Sequence, residues 1–236
     1  MKITALETIR NAEFPNLLWL HVYTDEGLIG LGETFFGAQA VEAYIHESVA
    51  PQLLGRDPSR IDYIARKLYG YLGFRGSGVE TRGNSAIDIA LWDLWGKRTA
   101  QPIYQLLGGL TREQVRVYNT CAGYRYVRQR PVQTTDNWGL DGEEGPYEDL
   151  DAFLNRADEL ALSLLQQGIQ AMKIWPFDHA AENNGGLHIS SAELRRALEP
   201  FEKIRKAVGD KIDIMVEFHS LWNLPTACRI AEAVKP

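Results

Sequence analysis

Cysteine is scarce in this chain: only Cys121 and Cys228 occur among 236 residues, and no CxxC pair exists. That pattern excludes a disulfide framework and a thiolate zinc site, and predicts two buried free thiols in a reducing compartment. Long apolar runs are missing as well. The amino terminus, Met1-Lys2-Ile3-Thr4, has no apolar signal core, and no stretch reaches membrane-spanning length. A cytoplasmic protein with no membrane partner is the expectation. Positive charge is neither abundant nor clustered. The 25 Lys and Arg residues are scattered against a net charge of -6, which leaves no basic stripe for a nucleic-acid partner. What is present suits a soluble enzyme: at 45% hydrophobic residues the chain can bury a sizeable core in one or two domains.

The first third reads as a strand meander followed by helices. Ile3–Arg10, Leu17–Thr24 and Leu28–Glu33 are rich in β-formers, and Asp25-Glu26-Gly27 joins the last two as a tight hairpin. Gly27, Gly30 and Gly32 belong to this hairpin rather than to a dinucleotide loop, because Phe35 stands where a third glycine would be. Asp57-Pro58 predicts an N-cap followed by proline at the first helical position, ahead of an apolar stripe of Ile61, Ile64, Ala65, Leu68 and Leu72. Gly73 to Gly83 predicts a loop. Asn84 or Ser85 then caps a helix whose buried face is Ile87, Ala90, Leu91 and Leu94, and Gly108-Gly109 stops the short segment after it.

From Val115 the pattern changes to alternating strands and helices. Strand Val115–Asn119 precedes a long polar loop, helix Asp151–Gln167 and strand Gln170–Trp175. Helix Ser191–Val208, with Pro200 expected to kink or divide it, leads to strand Ile212–Phe218 and helix Leu224–Val234. Such repetition predicts parallel strands with right-handed crossovers. About three βα units are present, whereas a closed barrel takes about eight. An open sheet edge would remain. The chain is therefore expected to be part of a longer protein, to form a homo-oligomer or to associate with the missing barrel half.

Two strand ends carry the chemistry. Residues two apart on a strand share a face, so Glu217 and His219 are expected to project together while Phe218 packs the other way. A hard carboxylate oxygen beside an imidazole offers a metal ligand and a proton donor in one place. Equally, a half-buried strand can end in polar residues without any chemistry. The second strand end, Met172-Lys173-Ile174-Trp175, spaces a charged and an aromatic residue in the same way. With the strands as neighbours, Lys173 and Glu217 would sit about 5 Å apart on one rim. A snorkelling lysine is the plainer alternative for Lys173. His21 reads as structural and His46 as structural or exposed, while His179 and His188 flank a polar loop after strand two, where a solvated histidine is the plainer reading and substrate contact the alternative. The Tyr124–Pro146 loop, with Arg125, Arg128 and Arg130, follows the first strand of this region, and its arginines suit a carboxylate or polyhydroxy acid.

The segment Ser85-Ala86-Ile87-Asp88-Ile89-Ala90-Leu91-Trp92-Asp93-Leu94-Trp95-Gly96-Lys97, continued by Pro102-Ile103-Tyr104-Gln105-Leu106-Leu107-Gly108-Gly109, is the most specific stretch. Through it, and through Gly32-Glu33, Lys173 and Lys203-Ile204-Arg205-Lys206-Ala207-Val208-Gly209, the chain resembles the mandelate racemase/muconate lactonizing enzyme family of the enolase superfamily. By itself the helix segment is amphipathic with Asp93 and Lys97 paired at i, i+4, and its expected role is packing.

The resemblance implies an α+β capping domain over 1–112, then the first part of a (β/α) TIM-type barrel over 113–236. It implies Mg²⁺ held by acidic residues on successive strands, Glu217 matching the first, and abstraction of a proton α to a carboxylate. An acidic residue, one spacer and a histidine at this strand end resemble the acid-sugar dehydratases, which act as lyases on aldonic or aldaric acids. His219 would then protonate the departing β-hydroxyl. Racemase and cycloisomerase branches place a lysine base where Trp175 stands, and an indole cannot take the proton. That leaves Lys173 to contact the substrate carboxylate or enolate, with a base on a later strand. Trp175, Arg125 and Phe35 are the expected substrate contacts, Phe35 closing over the mouth from the capping domain together with Phe36 and the Gly73–Gly83 loop. A racemase, epimerase or cycloisomerase of the same family, and a non-catalytic barrel fragment, are the alternatives.

Overall fold

Alternating burial builds the first sheet. In the computed structural model, which describes residues 1–70, 78–127, 134–140 and 148–235, β1 (Ile3–Asn11), β2 (Phe14–Thr24) and β3 (Ile29–Phe35) form an antiparallel meander in that order. Along β2 every second residue from Asn16 to Thr24 is buried, the mark of a sheet with one covered face. Gly27, at φ 79, closes the hairpin between β2 and β3. Helices α1 (Ala38–Tyr44) and α2 (Ala50–Leu53) flank a π-helical turn, Ile45–Val49, and α3 (Ile61–Tyr69), α4 (Val79–Thr99) and α5 (Ile103–Leu106) follow. Val41, Ile45, Leu53, Ile64, Leu68, Ile87, Leu91 and Leu94 from these helices pack with Leu18, Leu20 and Val22 into one core.

Helix α4 lies directly on the backbone of β3. A Cβ on Gly32 would fall 2.1 Å from the Ala86 carbonyl oxygen, and one on Gly30 would fall 2.3 Å from that of Ala90. The Asp93–Lys97 pair seals the same contact. Lys97 Nζ donates to Asp93 Oδ2 (2.6 Å) and to the Ile29 carbonyl (2.7 Å), while the Leu31 amide donates to Asp93 Oδ2 (2.7 Å).

Two helix starts differ from expectation. Asp57 accepts from the Ser59 amide at 2.9 Å and so forms a local turn ahead of α3, whose N-cap is Arg60. Helix α4 begins at Val79, before the capping residues predicted at Asn84 or Ser85, because Asn84 instead accepts from the Tyr44 hydroxyl (2.9 Å) on the helix side. Of the Gly73–Gly83 loop, residues 79–83 are helical, while 73–77, with Leu72, lie outside the described residues.

Met1–Glu113 and Gln114–Pro236 are separate compact units. In the second, the predicted strand Val115–Asn119 is reduced to one parallel bridge, Asn119 with Met172. Val115 and Val117 stay 69% and 63% exposed, so their β-propensity has no packed surface to act on. The helix expected over Asp151–Gln167 is divided into α6 (Asp149–Asn155) and α7 (Ala157–Gln166) at Arg156, whose φ of −136 and ψ of 46 leave the helical region. Then come β4 (Ala171–Ile174), α8 (Asp178–Asn184), α9 (Ser191–Val208), β5 (Asp213–Val216) and α10 (Leu224–Ala233). Pro200 does not divide α9, which starts at a reciprocal capping box between Ser190 and Glu193.

Strands β4 and β5 pair in parallel, Lys173 opposite Met215 and Ile174 opposite Val216. Leu160 and Leu164 of α7 and Ile204 and Val208 of α9 cover Met172 and Ile174 of β4. Among the described residues, β4, β5 and the Asn119 bridge form the parallel part, a partial set of the strands that a closed barrel takes. Among them too, no helix is long and apolar enough to cross a membrane.

The two cysteines part company here. Cys121 is fully buried and its thiol is pushed up to about 12, chiefly by burial, whereas Cys228 is exposed on α10, contrary to the expectation of two buried thiols. Native protein near neutral pH should show one fast thiol toward an aromatic disulfide reagent and a second only on unfolding. Two fast thiols would place Cys121 at the surface.

Candidate active site

The ends of β4 and β5 bring the charged groups together. The last ladder bond runs from the Glu217 amide to the Ile174 carbonyl at 3.0 Å, so the residue after β5 sits beside the end of β4. Lys173 Nζ then reaches Glu217 Oε2 at 3.3 Å, and its ammonium lies 5.6 Å from the centre of the Tyr118 ring. The second carboxylate oxygen, Oε1, accepts from the amides of Phe218 (3.1 Å) and His219 (3.0 Å). The His219 amide foremost holds Glu217 below the ordinary carboxylate range against the opposing effect of burial, and Lys173 adds to the lowering. Glu217 is thus an ionised, oriented oxygen donor.

Strand alternation is not what joins Glu217 to His219. β5 ends at Val216, and His219 and Ser220 take φ values of 47 and 56 in a turn closed by the Leu221 amide on the Phe218 carbonyl (3.0 Å). The turn carries the His219 ring to Asp178, with Nδ1 2.7 Å from Oδ2. Asp178 opens α8 and is 6% exposed. Its carboxylate raises the His219 imidazole above its ordinary value despite partial burial, and burial pushes Asp178 itself upward. Phe218 turns into an aromatic cluster, its ring edge-on to Phe177, which stacks on Phe201 of α9. Beside His219 opens a pocket of about 260 Å³ lined by Tyr126, Thr135, Asp178, Glu182 and Leu221.

Trp175, expected as a substrate contact, lies deeper than the rim. It is 2% exposed, packed between Phe153 and Tyr126, and meets the His219 ring edge-on at 5.6 Å. In this position its ring backs that of His219. Arg125 Nε donates to the nearly buried Glu148 Oε1 at 3.0 Å, tying its loop to the start of α6. Arg128 and Arg130 lie outside the described residues. Phe35 ends β3 in the first unit, edge-on to Phe36 at 5.0 Å and 45% exposed. His179 sits on α8 with its ring 4.5 Å from that of Trp138, and His188 is exposed. The segment read as a polar loop is thus partly helical. Asp178 is the residue that sequence reasoning missed. Its only signal was a carboxylate shortly after the end of the second strand, in Trp175-Pro176-Phe177-Asp178.

Among the described residues, no three His, Cys, Asp or Glu side chains converge to hold a metal ion. At the described strand ends Glu217 offers a prepared hard donor. A Mg²⁺ ion commonly takes only one or two carboxylates, with waters and substrate oxygens filling its octahedron, so this sparse donor set fits one ligand of such a site.

Comparison with known proteins supplies the family. The mandelate racemase/muconate lactonizing enzyme N-terminal domain matches residues 3–108, and the enolase C-terminal-like domain matches residues 156–236. The chain belongs to the mandelate racemase/muconate lactonizing enzyme family of the enolase superfamily and resembles the acid-sugar dehydratase branch. A crystal structure of a mandelate-racemase-subgroup enolase from Agrobacterium tumefaciens is 57% identical, with a TM-score of 0.82 over 100% of this chain and 55% of that one. An enolase from Sargasso Sea environmental sequencing is 46% identical at the same TM-score of 0.82, covering 99% of this chain and 55% of that one. D-galactonate dehydratase from Verminephrobacter eiseniae is 32% identical over 96% of this chain and 50% of its own length. The chain spans about half the length of the curated relatives it matches.

The pH dependence of stability tests the Glu217 geometry. A carboxylate whose folded value is depressed contributes stability above its unfolded value and loses it as pH falls through the folded one. Glu217→Gln should therefore flatten the acid limb of the urea midpoint against pH. At neutral pH the change should stay within about 1 kcal/mol, since the pair is partly exposed. An unchanged acid limb would show that Glu217 lacks these partners in solution.

Proposed function

We propose that the protein is a Mg²⁺-assisted dehydratase of an acid sugar, an aldonic or aldaric acid. Supporting this is one juxtaposition: ionised Glu217 beside Lys173 at the strand ends, with the His219–Asp178 pair on the next turn. The named relatives include D-galactonate dehydratases, which makes D-galactonate the first substrate to try.

Protons α to a carboxylate are weakly acidic, so positive charge must be in place before one is removed. Bound through Glu217, Mg²⁺ would supply that charge. Lys173 adds its ammonium on the same rim and contacts the substrate carboxylate. The indole of Trp175 has no lone pair for a proton, so the α-proton goes to a base beyond the residues named here. His219 protonates the β-hydroxyl as it leaves, a role for which the upward shift imposed by Asp178 suits it.

Variants of the full-length protein test these assignments. Glu217→Gln should weaken Mg²⁺ binding in calorimetry and abolish turnover while circular dichroism stays native. Unchanged Mg²⁺ affinity would remove Glu217 from the site. His219→Asn should slow dehydration by about a hundred- to ten-thousand-fold, yet still exchange the substrate α-proton with solvent deuterium. Loss of exchange and dehydration together would make His219 the base and favour a racemase-type reaction. Dehydration at the wild-type rate would end the dehydratase reading.

A further inference from the structure

The main chain does not aim His219. Past β5 the backbone leaves the strand, and a residue at φ 47 carries its side chain in a direction that strand alternation cannot set. Side-chain contacts do the aiming. Asp178 Oδ2 takes Nδ1 at 2.7 Å, and Trp175 presses edge-on at 5.6 Å between ring centres. With Nδ1 occupied, Nε2 is the ring nitrogen left for a substrate.

Asp178 is an odd residue to bury for stability alone. It is 6% exposed, and among the described residues its second oxygen, Oδ1, is buried without a hydrogen-bond partner. Desolvating a carboxylate and leaving half of it unpaired is a net burden that a well-packed apolar residue would avoid. It also lines the same pocket as His219.

We infer that Asp178 is a positioning residue for proton delivery: it grips Nδ1–H of His219 and so fixes the ring with Nε2 directed to the departing hydroxyl. The inference rests on the dehydratase reading above. In the step itself the Nε2–H bond of the imidazolium breaks and the proton joins the β-hydroxyl oxygen. The Cβ–O bond breaks with its electron pair leaving on water, and the electron pair of the enolate becomes the Cα=Cβ bond. The imidazole is left neutral with Nδ1–H still on Asp178, and solvent returns the proton to Nε2.

Asp178→Asn in the full-length protein tests this, since it keeps the shape but removes the obligate acceptor. With D-galactonate or whichever acid sugar the wild type dehydrates, kcat should fall by about a hundredfold or more, with KM nearly unchanged and α-proton exchange retained. The double variant with His219→Asn should be no slower than His219→Asn alone, because Asp178 acts through the ring. Nitrogen-15 NMR of the neutral imidazole, assigned by the resonance that His219→Asn removes, should show Nδ1 protonated in the wild type. In Asp178→Asn it should show a mixture of tautomers. A wild-type rate in Asp178→Asn, or the same tautomer in both proteins, overturns the assignment. So does an additive double variant, which would give Asp178 a task of its own. If His219→Asn itself dehydrates at the wild-type rate, the dehydratase reading falls first. If only Asp178→Asn is silent, the positioning role alone is lost.

Discussion

The parallel pairing of β4 with β5 is the constraint on which the site depends. Its register sets Ile174 against Val216, and one further bond, from the Glu217 amide to the Ile174 carbonyl, carries the alignment past the end of the strand. Parallel strands end on the same side of a sheet, so side chains from both termini meet there without any long-range accident. Lys173 and Glu217 share a rim for that reason. The layer beneath, α7 and α9 packed on Met172 and Ile174, holds the pair of strands in place.

The charges on that rim are poor stabilisers. Lys173 and Glu217 stand 3.3 Å apart with side chains 21% and 33% exposed, where an ion pair adds little to folding. Their worth lies in preorganisation: Glu217 already has one oxygen on two backbone amides and the other on an ammonium, so its orientation is settled before a ligand arrives. Asp178 is the opposite case, a buried carboxylate whose main contact is the His219 ring. The two acids thus divide labour by environment, one held charged at the rim and one withdrawn behind the histidine.

The first unit follows a different logic, in which small residues permit contact. Gly30 and Gly32 let α4 approach β3 to a distance that any side chain would forbid, and Asp93 and Lys97 then bond the strand's backbone. The sequence segment that identifies the family is therefore a packing device. Its specificity reflects how few residues tolerate such an approach, and the chemistry lies elsewhere.

Local pattern was enough for the meander, its Asp25-Glu26-Gly27 turn, helix α9, strands β4 and β5, and the proximity of Lys173 to Glu217. Each follows from a period, a turn residue or the shared end of parallel strands, all properties of neighbours in sequence. Where burial or long-range bonding decides, the reading from residues alone went astray. Val115–Asn119 has strand-forming residues but, among the described residues, pairs only through Asn119. Asn84 has a capping side chain but spends it on Tyr44, forty residues away. Trp175 shares the spacing of a rim residue yet is drawn inward by Phe153 and Tyr126. The contact between Asp178 and His219 spans 41 residues and depends on a turn at positive φ, where strand periodicity has already stopped. The sequence by itself determined which residues could carry charge to the strand ends. Only the tertiary structure decided which of them meet, because that depends on where the strand stops and what packs behind it.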